Sequence, residues 1–271
     1  MRLSALAAAA ALVAAVVTAA PARADEPDYY VAVGDSLSVG AQPGRGPTDE
    51  GYTDTLYASL AAHHPNLRLV KLGCGGETTG TMLNGGICAY PEGSQIKAAE
   101  AFLRAHAGHV RYVTLNIGAN NTNCMLTGDI ACGLAGMASL VADLPTITSR
   151  LRAAGGDTPA YAAMTYYDPG LASWVTGDAG KAVAAASVPL VDVFNAYERF
   201  VYTINGYKVA DVNEAFSTHD FTTQVDQAPY GKIPLNVARI CAWTYQCSDG
   251  DGHATPTGYR VIGETFAKAL A

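Results

Sequence analysis

Short apolar segments alternate with amphipathic ones from residue 29 to the end of the chain. That alternation predicts an α/β protein, with a mostly parallel central sheet and helices on both of its faces. Two further observations agree. The strand-like segments are almost continuously apolar, as strands buried on both sides are. The residues capable of chemistry stand where those segments end, which is where open α/β sheets carry their sites.

The strands are expected at YYVAV (29–33), LRLVKL (67–72), VRYVTLNI (110–117), AYAAMTYY (160–167) and YKVADV (207–212). The first helix is expected over 54–64, with Leu56, Leu60 and Ala61 on one face. A second is expected to start at a Ser94 cap and stop near Gly108. A long one is expected over 134–156, kinked or split by Pro145. Another is expected over 195–204, and the last opens at Thr255 with Pro256 in its first position. The segment from about 213 to 252 is polar, turn-rich and weakly periodic, so it reads as irregular.

The chain has 271 residues, ample for a hydrophobic core. Its first 24 residues read as a secretory leader. They run from a charged start, through an apolar stretch from Leu3 to Ala20, to an A-x-A site at Ala22-Arg23-Ala24. An uncleaved membrane anchor is the alternative there, and no later stretch is expected to span a bilayer. Residues 25–271 are expected to form one domain. Without the leader, Arg2 and Arg23 are lost, leaving 15 basic and 24 acidic side chains, a net charge of −9. That balance argues against nucleic acid and anionic membrane surfaces as partners. It leaves lipid open as a substrate, because an acyl tail is recognised by burial.

Six cysteines in an exported chain imply disulfides. They fall into three close pairs, so Cys74–Cys88, Cys124–Cys132 and Cys241–Cys247 are the expected bridges. No pair has zinc-ligand spacing.

The strand ends carry a coherent set of groups. The first strand ends in Gly34-Asp35-Ser36, and the second in the glycine-rich Gly73-Cys74-Gly75-Gly76-Glu77-Thr78. The third ends in Gly118-Ala119-Asn120-Asn121, and SDGDGHATPTGY precedes the last helix. Together they offer a hydroxyl, an imidazole beside carboxylates, a side-chain amide and open backbone N–H groups. Acyl transfer to water needs a nucleophile, an oriented base and donors for an oxyanion.

These four segments resemble the sequence blocks of the SGNH hydrolases, the GDSL esterases and lipases. GDSL (34–37) matches the nucleophile block, and GCGGETTG (73–80) resembles the glycine block. GANN (118–121) resembles the third block, and DGHATPTGY (251–259) the block that holds the histidine. The order is the family's. The resemblance implies a three-layer α/β/α sandwich with no metal and no cofactor. It implies Ser36 as nucleophile, His253 as base, and an oxyanion hole from the N–H groups of Ser36 and Gly76 with the amide of Asn120.

Two departures from the family pattern matter. The third block ends in Asn121 where an aspartate is usual, which reads as a structural change. The carboxylate usually three residues before the histidine is replaced by Gly250. Asp251 is the expected orienter of His253, with Asp249 and a main-chain carbonyl as alternatives. There is no G-x-S-x-G elbow. A calcium loop at Asp249–Asp251 lacks its closing glutamate. Tyr166, Tyr167 and Trp243 read equally as acyl-pocket lining or as core. The other five histidines read as solvated or structural.

The expected function is that of a secreted, monomeric serine esterase or lipase acting on acyl lipids or phospholipids. Carbohydrate deacetylation is the alternative within the enzymes, and acyl transfer to an alcohol is open. A non-catalytic cell-surface binding domain on the same fold is the alternative outside them.

Overall fold

The computed structural model describes residues 26–271. The expected leader, residues 1–24, lies outside them. The chain order is β1 (Asp28–Gly34), α1 (Tyr52–Ala61), β2 (Leu67–Lys71), α2 (Thr79–Asn84), α3 (Gln95–Ala105), β3 (Val110–Asn116), α4 (Ala119–Thr122) and α5 (Ile130–Gly155). Then come β4 (Ala160–Met164), α6 (Asp178–Ile204), β5 (Lys208–Ala210), α7 (Val212–Ala215), β6 (Gln224–Gln227), β7 (Gly231–Pro234), α8 (Leu235–Trp243), α9 (Gln246–Asp249) and α10 (Pro256–Leu270).

The first five strands form one parallel sheet in the order β2-β1-β3-β4-β5. Helices α1 and α10 cover one face, and α3, α5 and α6 the other. This is the three-layer α/β/α architecture. The strand order reverses between β1 and β3, so the crevice at their carboxyl ends is the topological switch point. The register puts Gly34 opposite Asn116 there. The strands are apolar because helices cover both sides: Val31, Val33, Val113 and Leu115 are fully or almost fully buried. On α1 and α10, the Tyr52 and Phe266 rings stack with centroids 4.8 Å apart.

Helix α5 is continuous, although Pro145 lies inside it. Proline supplies no N–H to the carbonyl four residues back. Here the Tyr197 hydroxyl donates to that carbonyl, Val141 O, at 2.8 Å. Leu140, Leu144, Ile147 and Leu151 form its buried face. Truncating any one of them to alanine would cost about 2–5 kcal/mol. By length and composition α5 is long and apolar enough to cross a membrane, which corrects the expectation that no later stretch is. In this fold it is an outer-layer helix packed on α3 and α6.

Other boundaries differ from expectation. Helix α6 begins at Asp178 rather than 195; Pro189 and an alanine-rich first half hide it in the sequence. Ser94 stands at the N-cap of α3, but its hydroxyl makes no cap bond and has no partner. Thr255 does cap α10, accepting from Gly258 N. The stretch from 213 to 252 is not irregular. It holds the end of α7, the β6–β7 hairpin, α8 and α9. Such short elements give too few turns to show a period.

Candidate active site

One residue, Asp35, separates the end of β1 from Ser36, which opens a 3₁₀ turn, Ser36–Val39. The Asp35 side chain caps that turn by accepting from Leu37 N at 2.9 Å. Being first in the turn, the Ser36 N–H has no partner within it. Gly34 makes the sharp exit from the sheet: its φ is +148°, and a Cβ there would stand 2.2 Å from Asn116 O.

His253 lies two residues before the N-cap of α10. Its Nε2 is 2.8 Å from Ser36 Oγ. Its Nδ1 is 2.5 Å from Asp251 Oδ1, the oxygen that also accepts the His253 backbone N–H at 2.8 Å. Asp251 is therefore the group that holds the imidazole. Asp249 points elsewhere, with Oδ2 accepting from Ser248 Oγ. The loop is fixed on several sides: Tyr245 N donates to His253 O at 3.0 Å, and Tyr167 donates its hydroxyl hydrogen to Gly252 O.

The loops after β2 and β3 meet each other. Gly76 has a φ of +79°, in the left-handed region glycine tolerates. Asn120 Nδ2 donates to Glu77 O at 2.9 Å, and Asn120 Oδ1 accepts from Asn123 at 2.8 Å. A primary amide has two N–H donors. One pins Asn120 to the glycine loop, and one remains. Asn121 accepts from Thr79 N at 3.0 Å and donates to Thr79 Oγ1 at 2.7 Å. Thr79 Oγ1 gives its own hydrogen to Asp143, so it needs a donor there. An amide supplies one and an aspartate would not, which accounts for Asn121.

A buried polar network underlies the nucleophile turn. Asn116 Nδ2 donates to Asp35 Oδ1 at 2.6 Å, and Tyr166 OH to Asp35 Oδ2 at 2.7 Å. Tyr52 OH donates to Asn116 Oδ1 at 2.8 Å. Burial pushes the Asp35 carboxyl up to about 6, in spite of these donors. Burial also pushes Glu198 well above the usual carboxylate range, with the Asp35 charge adding to it.

Sequence reasoning missed Gln95. Its side chain bonds both backbone groups of Gly34, accepting from N at 2.7 Å and donating to O at 3.0 Å. It also donates to Glu77 Oε2 at 3.0 Å, tying the nucleophile turn to the glycine loop. A polar residue in a helix's first turn carries no signal of that task. Tyr166 and Tyr167 are buried in the core, where Tyr167 stacks on the Phe216 ring and Trp243 meets that ring edge-on.

The structure holds the three expected disulfides, Cys74–Cys88, Cys124–Cys132 and Cys241–Cys247. Each closes a loop next to one of the segments just described. Among the described residues, no three His, Cys, Asp or Glu side chains gather as metal ligands. A hydroxyl bonded to an imidazole that is itself bonded to a carboxylate can lose its proton as its oxygen attacks an acyl carbon.

Comparison with known proteins agrees. Residues 32–261 match the GDSL-like Lipase/Acylhydrolase family. No curated protein matches the chain in sequence. Among solved structures, one from Parabacteroides merdae ATCC 43184, named as a GDSL-like lipase, superposes with a TM-score of 0.60 at 13% identity, over 90% of this chain and 96% of that one. Axe2, an acetylxylan esterase from Geobacillus stearothermophilus, gives 0.56 at 14%, over 90% and 94%. The lipase/acylhydrolase from Enterococcus faecalis gives 0.51 at 14%, over 89% and 94%. At these identities the likeness is one of fold. The family match covers most of the chain, and with it the conclusion is direct: this protein belongs to the GDSL/SGNH esterase–lipase family and is an enzyme that hydrolyses ester bonds.

Proposed function

We propose that the protein is a secreted serine esterase acting on acyl-lipid or phospholipid esters, with Ser36 as nucleophile. The observation that carries this reading is the continuous line of hydrogen bonds from Asp251 through His253 to Ser36. Ser36 Oγ attacks the ester carbonyl carbon, and its proton passes to His253 Nε2. Asp251 accepts the Nδ1–H bond and steadies the imidazolium. The carbonyl oxygen, now an oxyanion, takes hydrogen bonds from the N–H of Ser36, the N–H of Gly76 and the free hydrogen of Asn120 Nδ2. His253 then gives its proton to the departing alcohol oxygen. A water attacks the acyl-enzyme, loses a proton to His253, and the fatty acid leaves as the proton returns to Ser36.

An acyl chain is favoured by Ile87, which is half-exposed and reaches to within 3.9 Å of where a Gly76 Cβ would stand. An apolar side chain at the oxyanion loop suits a hydrocarbon tail better than a sugar ring. The three disulfides support an exported protein. Labelling with a fluorophosphonate and mapping the modified peptide tests the nucleophile; modification at any residue but Ser36 overturns it. Rates over p-nitrophenyl esters from acetate to palmitate test the substrate. A maximum at medium or long chains is expected. Activity on acetate alone, with release of acetate from acetylated xylan, would move the reading to carbohydrate deacetylation.

A further inference from the structure

Among the described residues, nine large apolar side chains are exposed, and eight of them stand on α5 and α6. On α6 they keep strict time. Val183, Ala186, Leu190, Val193, Tyr197, Phe200 and Ile204 follow one another at intervals of three, four, three, four, three and four. All except the half-buried Tyr197 are exposed, on the side of α6 opposite its buried residues Val188, Asn195 and Tyr202. Apolar residues at alternating intervals of three and four form the stripe along which one helix packs on another. A helix that only covers a sheet needs no such stripe on its outer side.

We infer that this α6 stripe joins two copies of the chain, paired antiparallel about a two-fold axis at Val193. The inference departs from the monomer expected from the sequence. Antiparallel pairing about Val193 sets Val183 of one copy against Ile204 of the other, Ala186 against Phe200, and Leu190 against Tyr197. The smallest residue of the stripe thus faces its largest exposed one, as close packing favours. The flank of the stripe is Ala182, Pro189, Ala196 and Thr203. These are uncharged, and three of them are small, so two helices can approach without facing like charges. Tyr197 is already held through its hydroxyl to Val141 O on α5, which fixes the ring and brings Val141 to the edge of the stripe.

The area is sufficient. The five large apolar side chains exposed on the α6 stripe and the three exposed on the neighbouring α5 are each 47–65% exposed, so covering both helices would bury on the order of 800 Å² of the chain's surface. That is close to what each partner contributes to a stable complex. A lipid surface fits less well. The stripe runs about 30 Å along the helix, away from the carboxyl ends of the strands where substrate would enter. Helices that lie on membranes carry Lys or Arg beside the apolar face, often with Trp; here the two cations near the stripe, Lys181 and Arg199, are paired with Asp178 and Asp211, and no Trp lies between Val183 and Ile204.

Light scattering after size exclusion tests this on the purified protein. A dimer at about 10 µM is expected. Val193→Glu places two carboxylates face to face at the axis and should raise the dissociation constant at least about a hundredfold. Ester hydrolysis per chain should stay unchanged, since Val193 is remote from Ser36. Val193→Cys should cross-link to itself under mild oxidation, and Val183→Cys should not. A wild type that stays monomeric at every concentration overturns the inference. So does a Val193→Glu protein that remains dimeric, or a Val193→Cys protein that fails to cross-link. A monomer that floats with phosphatidylcholine vesicles, and loses that behaviour on Val193→Glu, would instead assign the face to lipid.

Discussion

Asn120 donates one amide hydrogen to the carbonyl of Glu77 at 2.9 Å, across the two loops that follow β3 and β2. The bond does two things. It fixes the angle of the amide, and it directs the other hydrogen away from Glu77. Asn120→Ala should lower kcat by about 10²–10³ with little change in KM, the pattern for a donor used only in the transition state. A variant that raised KM and left kcat intact would remove Asn120 from the oxyanion hole.

Asp251 and Asp249 separate cleanly. Asp251→Ala removes the acceptor for His253 Nδ1–H and should cost about 10⁴ in kcat by analogy with other triads. The Asp249 side chain accepts from Ser248 and not from His253, so Asp249→Asn should stay within about threefold of wild type. Steady-state rates on one ester distinguish them. Equal losses in both would mean that the loop's shape matters and the carboxylate does not.

Asp35 gives a pH signature in stability. Its carboxyl has a pKa of about 6 in the folded protein, above its ordinary value, because it is buried. The folded state therefore binds this proton more tightly than the unfolded one. Its contribution is greatest below the ordinary carboxylate range and is lost as pH rises through about 6, a change on the order of 3 kcal/mol. Asp168, also raised to about 6 by burial, acts in the same sense. Urea unfolding of Asp35→Asn at pH 4.5 and 7.5 should show a smaller fall between the two than wild type. An unchanged fall would place the titration elsewhere.

The disulfide beside the glycine loop can be removed. Cys74→Ser with Cys88→Ser opens a loop of 14 residues' separation. It should cost about 3 kcal/mol in unfolding free energy on the chain-entropy model. Activity should fall as well, because Cys74 lies two residues from Gly76. Thermal denaturation together with esterase rates measures both. A stability loss with full activity would make the bridge structural alone.

The sequence reveals the fold through periods and punctuation. β1 and β3 are legible because both faces of the sheet are covered, and α10 because Thr255 and Pro256 mark its start. The candidate site residues stand out in the sequence because they fall in the blocks of the family resemblance, with Ser36 after β1, Asn120 after β3 and His253 just before α10. Gln95 is not legible, since its role comes from meeting Gly34, which lies 61 residues earlier in the chain and touches it only after folding. The first half of α6 is obscured by Pro189. The sequence points to Asp251 with Asp249 and a main-chain carbonyl as alternatives, and the turn of the chain before α10 decides which group meets the imidazole.

The central claim is that Ser36 carries out the chemistry. Turnover of p-nitrophenyl butyrate by wild type and Ser36→Ala, with matched circular dichroism spectra, tests it most directly. A folded variant slower by on the order of 10⁶ is the expected result. A folded variant that retains wild-type turnover would contradict it.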